Sequence, residues 1–116
     1  MAAAKYNITI EQGATFKKSV TIKDFTTGVV RDLTGYTVRG MVRLTYEDVA
    51  PLCTFNCIIS APTTGVFTFE LDSIATAQLD FETAVYDLEL VQTYSYPENV
   101  ERIMQGNVYL SKEATK

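Results

Sequence analysis

A chain of 116 residues with 47% hydrophobic and 21% charged side chains has the size and composition of one globular domain, which at this length buries about two-thirds of the surface its unfolded chain exposes. Ten basic against fourteen acidic residues leave a net charge of -4 at pH 7, a balance that repels a phosphate backbone and argues against nucleic acid as a partner. No apolar run approaches the roughly twenty residues of a membrane-spanning helix, and Met1-Ala2-Ala3-Ala4-Lys5 lacks the apolar core of a signal peptide, so a soluble protein made in a cytoplasm, without a membrane partner, is expected.

Period-two alternation predicts about seven or eight strands. Residues 5–11 and 15–23 flank a turn at Gln12-Gly13 and present Tyr6, Ile8 and Ile10, then Phe16, Val20 and Ile22, to the interior. Residues 24–28 form a loop. Asp32-Leu33-Thr34-Gly35 has turn chemistry, with a short polar acceptor at its start and a glycine where positive φ is needed. It leads into a strand over 36–46 that places Tyr36, Val38, Gly40, Val42 and Leu44 on the core face and Thr37, Arg39, Met41, Arg43 and Thr45 on the other. A polar connection, 47–51, ends at Pro51, which blocks continuation of a central strand, and 52–60 is the next strand. Pro62-Thr63-Thr64-Gly65 has hairpin character and precedes a strand over 66–71 whose Phe67, Phe69 and Leu71 face inward. Asp72 or Ser73 caps one short helix over 74–79, within a helical region around 73–79. The last strands, 83–93 and 100–111, are joined by Tyr94-Ser95-Tyr96-Pro97-Glu98-Asn99. Regular turn signals with little helix predict an all-β antiparallel sandwich in a single domain spanning 1–116, in preference to βαβ units.

The chain contains no histidine, which removes the imidazole base on which Ser-His-Asp and Cys-His sites depend. Cys53 and Cys57, four apart on one strand, would stand about 13 Å apart at strand rise, too far for a disulfide. They are expected reduced and packed beside Phe55 and Ile59, and with no further Cys or His there is no zinc set. Asp72, Asp80, Glu82 and Asp87 lack the ordered spacing of a calcium loop, so neither metal nor cofactor is expected. Asp87 and Glu89 share a strand face about 6 to 7 Å apart, a separation that a two-carboxylate hydrolase could use. The competing reading pairs them with Arg39, Arg43 and Arg102 in a solvated ion lattice, and no catalytic residue is assigned.

Four pieces in order, Gln12-Gly13 with Phe16, then Asp32 to Arg39 (DLTGYTVR), then Tyr86 to Leu90 (YDLEL), then Gly106 to Ser111 (GNVYLS), together resemble small structural proteins of tailed bacteriophages. The combination is similar to the immunoglobulin-like module that opens phage baseplate upper proteins and accompanies tail-fibre components. Glu82-Thr83-Ala84-Val85-Tyr86 also resembles the D-T-A-V-Y that precedes the second cysteine of immunoglobulin domains. That likeness implies an immunoglobulin-like sandwich in which the Tyr86 hydroxyl bonds main chain between residues 79 and 82. Leu88 stands at the cysteine position, and with no tryptophan the core would be aliphatic and phenyl. Gly35, Tyr36, Tyr86 and Leu88 are the expected structural residues.

The phage resemblance implies a non-enzymatic virion protein, made in the host bacterial cytoplasm and present in many copies, that docks to tail, baseplate, fibre or capsid proteins. Terminal segments and end loops would make the contacts: Met1, Ala2, Ala3 and Ala4, Tyr46, Glu47 and Val49, Tyr94, Tyr96 and Pro97, and Lys112. A capsid decoration protein, or a carbohydrate-binding adhesion module gripping glycan with Tyr94 and Tyr96, are the alternatives.

Overall fold

The alternating segments pair into two facing sheets. The structure is a computed structural model and describes residues 4–24, 26–92, 94 and 96–114. In chain order the strands are β1 (Ala4–Lys5), β2 (Ile8–Glu11), β3 (Phe16–Thr21), β4 (Tyr36–Arg43), β5 (Cys53–Thr54), β6 (Asn56–Ala61), β7 (Val66–Leu71), β8 (Thr83–Gln92) and β9 (Asn99–Ser111). A 3-10 turn at Pro62–Thr64 joins β6 to β7, and one α-helix, α1 (Ser73–Ala77), joins β7 to β8. One sheet has the order β1-β9-β8-β4-β5, with β2 also on β9, and the other is β3-β7-β6. The chain is an all-β sandwich with immunoglobulin-like order: β4, β8 and β9 stand where strands C, F and G do, and β3, β7 and β6 where B, E and D do.

Three expectations about the strands are corrected. The segment 5–11 is two short strands that run parallel to β9, Ala4 opposite Met104 and Ile8 opposite Val108, so the sandwich is not wholly antiparallel. The strand expected over 52–60 divides at Phe55: Cys53 and Thr54 pair with β4, while β6 pairs with β7 in the opposite sheet. Period two continues through the crossing because Phe55 stays buried while the backbone changes partner. Tyr6 and Leu44 do not face the core. Tyr6 lies between β1 and β2, 44% exposed, with the Lys18 ammonium 5.7 Å from its ring centre, and Leu44 lies past the end of β4.

The helix begins one residue before its expected start and stops at Ala77, two short of the expected end. Of the two candidate caps it is Asp72 that acts, its carboxylate accepting the Ala75 N–H at 2.8 Å. Gly35 has φ +82°, the left-handed conformation its turn requires, and the Asp32 carboxylate accepts the Thr34 N–H at 2.9 Å.

Val38, Val42, Phe55, Phe67, Phe69, Leu88 and Leu90 are all buried, in the register the alternation predicts. At the centre Phe55 and Phe69 meet edge to face with centroids 5.1 Å apart, Phe16 stands 5.6 Å from Phe69, and Tyr86 lies 6.1 Å from Phe55. These rings come from β3, β7, β8 and the crossing residue, so one aromatic cluster ties both sheets. Cys53 and Cys57 are free and half-buried against it, and burial pushes both thiols up to about 11.

Tyr86 is buried as expected, but its hydroxyl donates to the main-chain carbonyl of Tyr6 and to nothing in 79–82. Gly106, opposite Tyr86 on β9, makes this possible, since a Cβ there would collide with the Tyr6 carbonyl. The bond fastens the junction of β1 and β2, where an antibody-type tyrosine corner would fasten the turn before its own strand.

Replacing Phe69 by alanine is expected to destabilise the fold by about 3 to 5 kcal/mol in urea unfolding. Tyr86→Phe is expected to lose about 1 kcal/mol, with faster amide exchange concentrated in β1 and β2.

Candidate functional site

The outward face of β4, β8 and β9 carries the charged residues. Arg39 Nε donates to Glu89 at 2.8 Å and Arg102 Nε lies 3.4 Å from Asp87, pairs set directly across the β4–β8 and β8–β9 ladders or one step along them. Burial, ahead of the neighbouring charges, raises the Asp87 carboxyl above the ordinary aspartate value even with Arg102 beside it. Both carboxylates of the hypothetical hydrolase pair are thus engaged by arginines in the predicted lattice. Both are half-buried, not fully outward, because β4 and β9 flank their strand on either side.

Arg43 departs from the lattice. Its guanidinium leaves the sheet and donates to the carbonyls of Asp48, at 2.8 Å, and Val49. The Asp48 carboxylate in turn accepts the Thr45 N–H at 3.1 Å, and the Leu52 N–H returns to the Val42 carbonyl at 2.7 Å. The connection between β4 and β5 is therefore braced from within. What it holds out is apolar: Val49 is 92% exposed, and Leu44, Tyr46 and Leu52 are exposed around it. Beside it, Met41, Arg43, Tyr46, Val85, Asp87 and Arg102 line a shallow depression of about 230 Å³. A strand-end arginine that turns to serve the carbonyls of the following loop has no periodic signature, and this is why alternation alone assigns Arg43 to the lattice.

The residues expected to make contacts separate into two groups at opposite ends of a body 44 Å long. Tyr46, Glu47 and Val49 lie where β4 ends and β8 begins, Arg43 being opposite Val85. Lys112 shares that end, 3.1 Å from Asp80 just ahead of β8. Tyr94, Tyr96 and Pro97 lie at the other end, between β8 and β9. Tyr94 is 71% and Tyr96 99% exposed; the Tyr94 hydroxyl accepts from the Gln92 amide, and a Cβ at Gly35 would meet its ring. Ala4 is exposed and lies in β1, beside the middle of β9, apart from both groups, whereas Met1, Ala2 and Ala3 lie outside the described residues. Among the described residues no helix is long and apolar enough to cross a membrane, and no group of three or more Cys, Asp or Glu side chains is placed to hold a metal.

Gln12, Gly13 and Tyr36 have structural roles. The Gln12 amide donates to the Leu79 carbonyl at 2.8 Å and its oxygen accepts the Glu113 N–H, while the Gly13 N–H donates to Thr76 Oγ1 at 3.1 Å. This pins the first sheet crossing to α1 and to the end of β9. Tyr36 carries the Arg31 guanidinium 5.3 Å from its ring centre, and Arg31 also pairs with Glu101 on β9 at 3.0 Å.

A raised Asp87 means the folded state holds its proton more tightly than the unfolded state, so stability falls as pH rises through the window just above the ordinary aspartate pKa. The melting temperature of Asp87→Asn relative to the parent is therefore expected to increase across that window, the reverse of a carboxylate stabilised by its salt bridge. No protein-family model and no curated protein sequence matches the chain.

Proposed function

We propose that the chain is a non-enzymatic docking module of a tailed-phage virion, a small immunoglobulin-like sandwich that joins tail, baseplate or fibre components by surface complementarity. The motif resemblance supplies the setting. The observation that carries the docking role is the loop braced by Arg43, in which backbone, carboxylate and guanidinium are used to hold Val49 and Tyr46 in water.

A rigid apolar knob is what association favours, because ordering entropy is already spent before a partner arrives. Tyrosine beside it adds large contact area with few rotatable bonds, and a shallow basin behind it accepts a complementary projection. The opposite end, with Tyr94 and Tyr96, offers a second contact area, so one module can touch two neighbours along its long axis. Interfaces that hold stable assemblies exceed about 1,000 Å² in total, which one loop does not supply alone.

The test is incorporation into particles. Val49→Asp combined with Tyr46→Ala is expected to leave the circular dichroism spectrum and unfolding midpoint nearly unchanged, since both side chains are exposed, while lowering incorporation at least tenfold. Arg43→Gln is expected to weaken incorporation less, by loosening the loop without removing the contact atoms. Particles that assemble normally with the double substitution would refute docking through this loop.

A further inference from the structure

The second sheet, β3-β7-β6, has two strands with a single described neighbour, β3 and β6, and the chain treats them differently. An open strand edge is a template for another strand, and charged side chains, lysine above all, are the usual means of keeping it unpaired. β3 carries Lys17 and Lys18, both exposed. β6, Asn56–Ala61, carries no charge, and no charged residue stands anywhere in 49–69 of a chain that is 21% charged. Its outward-facing Ile58, opposite Thr68 of β7, is 41% exposed.

We infer that β6 is a strand-pairing edge through which two copies of this chain associate antiparallel about a two-fold axis, extending each three-stranded sheet into one of six. Charge argues for a second copy as the occupant. Two chains of net charge -4 repel, and they approach at least cost where both surfaces are neutral. A two-fold axis sets each strand against itself, so like charges on it would meet; β3 against β3 would oppose its lysines, whereas β6 against β6 opposes only asparagine, cysteine, isoleucine, serine and alanine. The irregularity between Ile58 and Ala61 confines the regular ladder to Asn56, Cys57 and Ile58. The added pairing is therefore short, and the dimer is a weak one, in the micromolar range, of the kind that becomes firm only when multiple copies are held together in a larger body.

Sedimentation velocity of the purified full chain over micromolar concentrations tests this, and requires no particle, so its outcome is independent of the docking proposal. The parent is expected to shift from one to two chain masses with rising concentration. Ile58→Lys and Ile58→Glu are each expected to remain monomeric, and an equimolar mixture of the two to recover the dimer, because opposite charges then face each other across the axis. Lys17→Glu on the opposite edge is expected to leave the parent's behaviour unchanged. A parent that is monomeric throughout would overturn the inference and leave the edge to an extended segment of a different protein. A dimer that survives both Ile58 substitutions, or that responds to Lys17→Glu instead, would equally overturn it. Should either Ile58 variant fail to fold, Asn56→Lys, exposed and within the same regular ladder, replaces it with the same expected loss.

Discussion

Phe55 is the point at which the chain leaves one sheet for the other, and its ring meets Phe16 and Phe69 from the second sheet and Tyr86 from the first. A sandwich without a disulfide between its sheets relies on packing to hold them together, and here that packing is edge-to-face, tilted and stacked contact between rings 5.1 to 6.3 Å apart. Such contacts are directional as well as apolar. Gly40 lies beside this cluster, where a Cβ would come 2.8 Å from the Asp87 carbonyl of the adjoining strand, strike Leu88 and crowd the Phe55 ring. β5 is short because the chain changes sheet here: the Phe55 N–H still donates to the Gly40 carbonyl of β4 at 2.9 Å, and Asn56 already pairs with β7.

Polar groups are arranged around this centre with similar economy. Thr76 is fully buried, yet its hydroxyl donates to the Ala14 carbonyl at 2.8 Å and accepts from the Gly13 N–H. Among the described residues no buried side-chain nitrogen or oxygen lacks a partner. The short helix, in the β7–β8 connection, thus serves as a polar plug fastened to the first sheet crossing, with Gln12 reaching over it to Leu79. A sandwich end closed in this way leaves the β4–β5 connection free to project.

Strand positions were legible because burial on one face imposes period two, and a slip of one residue would have exposed Phe67 and Phe69 together. The carboxylates of Asp87 and Glu89 were legible for the same reason. What alternation cannot carry is partner identity. Tyr86 alternates correctly whichever main-chain oxygen it finds, and the oxygen it finds is 80 residues away, made reachable by a glycine on a third strand. Tyr6 reads as inward by spacing, but β1 ends at Lys5 and β2 begins at Ile8, so it falls in a break where the pleat does not apply. Arg43 reads as a member of the ion lattice until its loop is seen to need two carbonyls satisfied.

The parallel pairing of β1 and β2 with β9 has a consequence for how the chain reaches this state. Every described ladder contact of these two strands joins residues 100 apart, Ala4 to Met104 and Ile10 to Leu110 among them. During synthesis the earliest strands therefore wait for the last one. Until β9 emerges, Ile8 and Ile10, both buried in the finished fold, have no sheet to join, and β8 lacks one of its two neighbours. Contacts of such long sequence separation close late and slowly. β1 and β2 thus complete the sandwich together with β9, and the interval before they do is when the apolar edges are most open to other chains.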